Sequence, residues 1–181
     1  MRRRFPLPDG FPFNPRRQAF EARINQAHSL FESGQFLQSA QLFEELGAIA
    51  EARNGPRAPR FYMQAGRGYL HVQQPVQGMA LLEKGRQQFI QTGRADVAAR
   101  ICFRLKDEIK SLGWVEQAET ISNWAGSFSN TQTAVSQNHP PLPLKCPSCG
   151  APIHPNEINW LDSATSECDF CGNPLRGNTS S

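Results

Sequence analysis

Nowhere in the 181 residues is there an apolar run approaching the roughly 20 residues that a membrane-spanning helix needs. Arg2, Arg3 and Arg4 supply the charge of a secretory n-region, but Phe5-Pro6-Leu7-Pro8-Asp9 puts no apolar stretch behind it. These two absences predict a soluble, non-secreted, cytoplasmic chain. Charge is also scarce, at 19% against the roughly 25% of ordinary globular chains. Gln, Ser, Asn and 14 prolines make up the shortfall, a composition that suggests polar tails around a folded centre. Missing too are a nucleophile elbow, a phosphate loop, a dinucleotide fingerprint and any paired-carboxylate motif. Gly66-Arg67-Gly68 lies in a helical pattern without the preceding strand or the following Gly that a phosphate cradle requires. The chain is therefore expected not to be an enzyme.

What is present is enough for a modest core. Apolar residues make up 39%, which with 14 glycines excludes a wholly disordered chain. At roughly 150 residues per domain the length suggests one main unit and a small appendage. Charge is distributed unevenly. Residues 1–17 hold five Arg against one Asp, residues 18–126 twelve basic against eleven acidic residues, and residues 127–181 two basic against four acidic. The C-terminal part is thus the acidic one.

From Phe5 to Phe13 the alternation of Phe, Pro and Gly has no period that could bury a face, so residues 1–14 read as a flexible tail. Asn14-Pro15 has the form of an N-cap and first helical residue. Beyond it, apolar residues recur at spacings of three and four, as in Phe20, Ile24, Ala27, Leu30 and Phe31, and again in Phe36, Ala40, Phe43, Leu46 and Ala50. Breaks at Ser33-Gly34, Asn54-Gly55-Pro56, Gln73-Gln74-Pro75, Thr92-Gly93 and Leu112-Gly113 divide the stretch into six predicted helices.

The helices repeat in pairs. Ala27, Leu30, Gly34, Phe36, Ser39, Phe43 and Leu46 align with Gly66, Tyr69, Gln73, Pro75, Gly78, Leu82 and Gly85. The same frame carries Lys106, Ile109, Gly113, Val115, Ala118, Ser122 and Ala125. The small residues Ser39, Gly78 and Ala118 suit close helix crossing, and an aliphatic or aromatic knob precedes each turn. Over about residues 20–126 this resembles the tetratricopeptide (TPR) helical hairpin, most closely at Gly34-Gln35-Phe36 and from Gly113 to Ala118. The frame steps by 39 and then 40 residues instead of about 34, and Lys106 and Ser122 depart from the usual residue types. An unrelated helical bundle is the competing reading.

After Ala125 the composition turns to Ser, Thr, Gln and Asn and then to His139-Pro140-Pro141-Leu142-Pro143, so residues 127–144 read as a linker ending in a stiff spacer. A Pro-rich ligand for an SH3-like module is the lesser alternative there.

Cys146-Pro147-Ser148-Cys149-Gly150 and Cys168-Asp169-Phe170-Cys171-Gly172 form two C-x-x-C pairs at the spacing of a four-thiolate zinc site. Two thiolates three residues apart grip one metal if the chain between them turns tightly, and the Gly after each pair permits that turn. The phrases Cys149-Gly150-Ala151-Pro152-Ile153 and Cys171-Gly172-Asn173-Pro174-Leu175 match, as two knuckles related by a pseudo-twofold should. Over residues 145–178 the pattern resembles the zinc ribbon, a rubredoxin-like fold. The resemblance implies one structural zinc on Cys146, Cys149, Cys168 and Cys171, with Ile158, Trp160 and Leu161 on one strand and Thr165–Cys168 on the next. Iron in the same cage is the minor alternative. Two disulfides fit poorly with an odd fifth cysteine and no secretory leader. His154 reads as a surface histidine, Cys102 as buried and inert, and His28 and His71 as structural or exposed.

The fold expected is mainly α: three TPR-like hairpins at residues 15–126, a flexible linker and a small β zinc ribbon. The function expected is a protein–protein interaction scaffold or adaptor with the ribbon as a second docking unit. The TPR resemblance places the first helix of each pair on a concave groove, where Arg60, Arg67, Arg100 and Arg104 would take an acidic peptide or C-terminal carboxylate. Arg100 and Arg104 match the two basic places of a carboxylate clamp in a third repeat, whereas Ile24 and His28 depart from it. A solvated arginine face with no ligand is the alternative. A nucleic-acid-associated factor using Arg2, Arg3, Arg4, Arg16 and Arg17 is the competing function. It is disfavoured because a zinc tetrathiolate carries −2 and would make an already acidic end about −4. Three repeats also leave apolar ends that require a cap, from the linker or a second copy.

Overall fold

A computed structural model describes residues 15–126, 139–147, 153, 158–160, 163–168 and 173–177. The first of these segments is six helices: α1 (Pro15–Glu32), α2 (Phe36–Glu51), α3 (Ala58–His71), α4 (Pro75–Gln91), α5 (Ala95–Ser111) and α6 (Val115–Gly126). Pro15 opens α1 at the position where a missing amide costs nothing. Asn14 lies outside the described residues, as does the rest of the predicted tail. No helix among the described residues is long and apolar enough to cross a membrane.

All five connections between helices are made the same way. Gly34, Asn54, Gln73, Gly93 and Gly113 have φ of 79°, 50°, 61°, 72° and 90°. The amide that follows each reaches back to the carbonyl five residues earlier: Gln35 to Leu30 at 2.9 Å, Gly55 to Ala50 at 2.8 Å, Gln74 to Tyr69 at 3.0 Å, Arg94 to Phe89 at 2.7 Å and Trp114 to Ile109 at 3.2 Å. This left-handed cap satisfies carbonyls that a helix end leaves open and turns the chain back on itself.

Each helix packs mainly against its neighbours in sequence. Small residues set how closely they approach. The Ser39 hydroxyl donates 2.7 Å to the carbonyl of Ala27 where α1 crosses α2. Where α3 crosses α4, a Cβ on Gly66 would lie 2.6 Å from the Gly78 carbonyl oxygen. Two clusters of buried side chains result. One joins α1, α2 and α3 around Ile24, Phe43 and Phe61; the other joins α3 to α6 around Leu82, Phe89 and Ile121.

The C-terminal part forms a small antiparallel sheet in the order β1 (Asn159–Trp160), β2 (Thr165–Glu167), β3 (Pro174–Arg176). Trp160 pairs with Ser166, and Ser166 with Leu175. The first two strands fall where the sequence places them, though shorter: Ile158 precedes β1, Cys168 follows β2, and Leu161 lies outside the described residues. The third strand, built from the second knuckle's Pro174-Leu175 phrase, is an addition to the two strands expected. Its proline sits at the first residue of an edge strand, where a missing donor is tolerated.

This sheet lies against the helices. Cys146, Ile153, Cys168 and Leu175 belong to the same buried cluster as Ile24, Phe43 and Phe61, with Leu142 packed on it. His139 stacks on Trp160 at 3.9 Å between ring centroids. The end of the proline-rich stretch therefore packs with the sheet and the shared core.

Candidate metal centre and arginine cleft

Two of the four predicted metal ligands, Cys146 and Cys168, are among the described residues; Cys149 and Cys171 lie outside them, as does His154. Both described cysteines are buried, 2% and 1% exposed. Among the described residues no group of three or more His, Cys, Asp or Glu side chains gathers at one point. The backbone around the two cysteines repeats itself. The Ile153 amide donates 3.0 Å to the Leu144 carbonyl, and Leu175 pairs with Ser166. Each pair joins the residue two before the first cysteine of a motif to the residue seven after it. Ile153 and Leu175 are both buried, 7% and 1% exposed, so the duplicated phrase yields two equivalent apolar anchors beside the thiols.

His28 of α1 lies close to this region. It is 8% exposed and meets the Phe43 ring edge-on at 5.0 Å. Burial, then the Arg67 charge, pushes its pKa down to about 4, opposed by Cys146.

Three of the four arginines singled out in sequence pair with three different carboxylates. Arg60 of α3 is 2% exposed, and its Nη2 lies 3.1 Å from Glu167 Oε1. Arg67 lies over the Phe31 ring at 4.1 Å and donates to Glu108 at 2.8 and 3.0 Å. Arg100 donates 2.9 Å to Asp96, one turn earlier on α5. Arg104 follows one turn later, part-exposed. Arg100 and Arg104 thus share a face, whereas Arg60 is sealed beneath the sheet. Arg2, Arg3 and Arg4 lie outside the described residues.

The side chain that the sequence reading missed is Glu167 of β2. It is 8% exposed, and Arg94 Nη2, from the α4–α5 connection, donates to both of its oxygens at 2.6 Å. With Arg60 it is held by two guanidinium groups, and both lie near the Phe89 ring, at 5.8 and 5.7 Å from its centroid. A second polar tie runs from Arg57, which bonds Glu21 at 2.8 Å and the Asn173 side-chain oxygen. The one available signal was an acidic residue directly before a metal-ligand motif, and its partner lies 73 residues away with no periodic relation to it.

Glu108 of α5 also accepts from His71 Nε2 at 2.6 Å, and the His71 ring stacks on Phe36 at 4.2 Å. Burial acts to raise the Glu108 carboxyl, but the bond from His71 and the Arg67 charge outweigh it and hold the group below its ordinary value. Cys102 of α5 is 1% exposed. Burial pushes its thiol up to about 12, so it is a protonated core side chain. Comparison with protein-family models, curated proteins and solved structures finds no match for this chain.

Proposed function

We propose that this protein is a non-enzymatic cytoplasmic interaction scaffold, in which three TPR-like hairpins offer a peptide-binding surface and a structural zinc ribbon forms the second unit. What supports the reading is the local likeness of three of the helix connections. A left-handed residue recurs at Gly34, Gln73 and Gly113, and a buried small residue follows it five positions on at Ser39, Gly78 and Ala118. Of the first helices in this scheme, α3 is buried along most of its length, so the face suited to a peptide is that of α5.

The donor set fits zinc. Four thiolates in two C-x-x-C pairs match its tetrahedral preference, and two of them, Cys146 and Cys168, are buried in one apolar cluster. Zinc bound there would supply folding energy and leave no open coordination position for chemistry. Cys146, Cys149, Cys168 and Cys171 would hold it.

The peptide site centres on α5. The Arg100–Asp96 pair is a partly exposed pair one turn apart, of the class worth little in water, so an incoming carboxylate exchanges for Asp96 at small cost. Arg104 adds a second guanidinium on the same face, whereas Arg67 and Arg60 are already held by Glu108 and Glu167 and stand outside the peptide site. The partner is thus an acidic peptide or a C-terminal carboxylate. To test this, anisotropy of labelled peptides with an acidic, free C-terminus is titrated with the full-length protein. The R100E/R104E double variant should abolish binding with helicity and zinc content unchanged; undiminished binding would remove the groove from the account.

A further inference from the structure

Glu167 directly precedes Cys168, yet its carboxylate is held from the helical side of the molecule. Arg94 contributes one nitrogen 2.6 Å from each oxygen. Arg60 contributes a second from a side chain only 1% exposed. A guanidinium buried to that degree is costly to leave without its counterion, so the state with the sheet docked is favoured over the state with the cleft open. The apolar contacts act in the same sense, because Cys146, Ile153, Cys168 and Leu175 complete a core begun by Ile24, Phe43 and Phe61.

A ribbon of about 35 residues does not fold on its own core without a metal or another staple. Docking and metal binding therefore stabilise one and the same folded state of the C-terminal segment. Linkage between them is reciprocal: whatever factor the helices contribute to folding of the ribbon, they contribute to its metal affinity. We propose that Arg60 and Arg94 form a carboxylate-binding site whose resident ligand is Glu167, and that through it the helical half sets how tightly the four cysteines hold zinc. This rests on the four-cysteine reading above. It follows that an acidic peptide entering this cleft must displace Glu167 and so loosens the metal, and that metal loss opens the cleft to other carboxylates.

The test uses the full-length zinc-loaded protein and the transfer of zinc to a chromophoric chelator. R94Q changes a residue far in sequence from every cysteine and should weaken zinc binding about tenfold or more, the size expected for lost hydrogen bonds to a charged group. E167Q, which leaves every helical residue unchanged, should do the same. The double variant R94Q/E167Q should be little weaker than the worse single one, because both remove one interaction. K84Q, which breaks an exposed pair with Glu51 away from the sheet, should leave zinc affinity unchanged. Zinc affinity equal to wild type in R94Q and E167Q, or single effects that simply multiply in the double variant, would overturn the coupling while leaving the zinc site standing. A full-length protein that neither purifies with zinc nor takes it up would overturn both. Should R94Q lose its helicity, E167Q alone decides between these outcomes.

Discussion

Gln73 occupies the same left-handed backbone place that glycine fills at Gly34 and Gly113. Its φ of 61° matches the 79° and 90° of Gly34 and Gly113, and a side chain there crowds its own carbonyl by about 1–2 kcal/mol. Gln73→Gly removes that strain but gives the unfolded chain more freedom, so the expected net gain is about 0.5–1 kcal/mol, read as a higher denaturant midpoint. Gln73→Val, β-branched and less tolerant of this region, should lower it. Nothing lies within 4 Å of the Cβ that Gly34 or Gly113 would carry, so alanine at either costs only the backbone term.

Glycines within the helices act by a different mechanism. A Cβ at Gly66 would meet the Gly78 carbonyl oxygen at 2.6 Å and the Leu82 amide nitrogen at 2.9 Å, and both are backbone atoms that cannot step aside. Gly66→Ala should therefore push α3 from α4 and destabilise by about 1–3 kcal/mol despite the better helix propensity of alanine. Chemical denaturation measures it, and an unchanged midpoint would show that the crossing is looser than described. A second tie, from α3 to α5, depends on pH. The Glu108 carboxyl is held below its ordinary value of 4.5 by the folded state, so the unfolded chain takes up its proton first as the solution is acidified. The stability it contributes is complete above that ordinary value and is lost as pH falls below it. The gap in denaturant midpoint between wild type and E108Q should accordingly be constant near neutrality and shrink in acid; a gap independent of pH would contradict the triad with Arg67 and His71.

At the scale of the molecule, the decisive feature is that the C-terminal sheet and the first three helices share one core. Leu175, 1% exposed, lies in the same cluster as Ile24 and Phe61. Leu175→Ala should lower the melting temperature of the helices themselves, followed by circular dichroism, by about 5 °C or more, given a cavity cost of about 2–5 kcal/mol. A sheet merely tethered by a linker would melt without moving the helical transition.

The sequence by itself determined the helices, their breaks and the candidate ligands, because each depends on neighbours within a few residues. Pro15 starts a helix, Gly34, Gly93 and Gly113 end them, and three- and four-residue spacing buries Ile24, Ala27 and Phe43 wherever the helix packs. The C-x-x-C spacing is local in the same sense, and the matching Ile153 and Leu175 phrases carried their equivalence into the backbone. What only the tertiary structure decided is who faces whom across long stretches of chain. Arg60 was read as a groove residue open to a partner, and it is sealed by Glu167 instead. Arg94 had no pattern to recommend it. An ion pair between residues 73 apart leaves no periodic trace, since its geometry arises from the summed packing of four helices and a sheet.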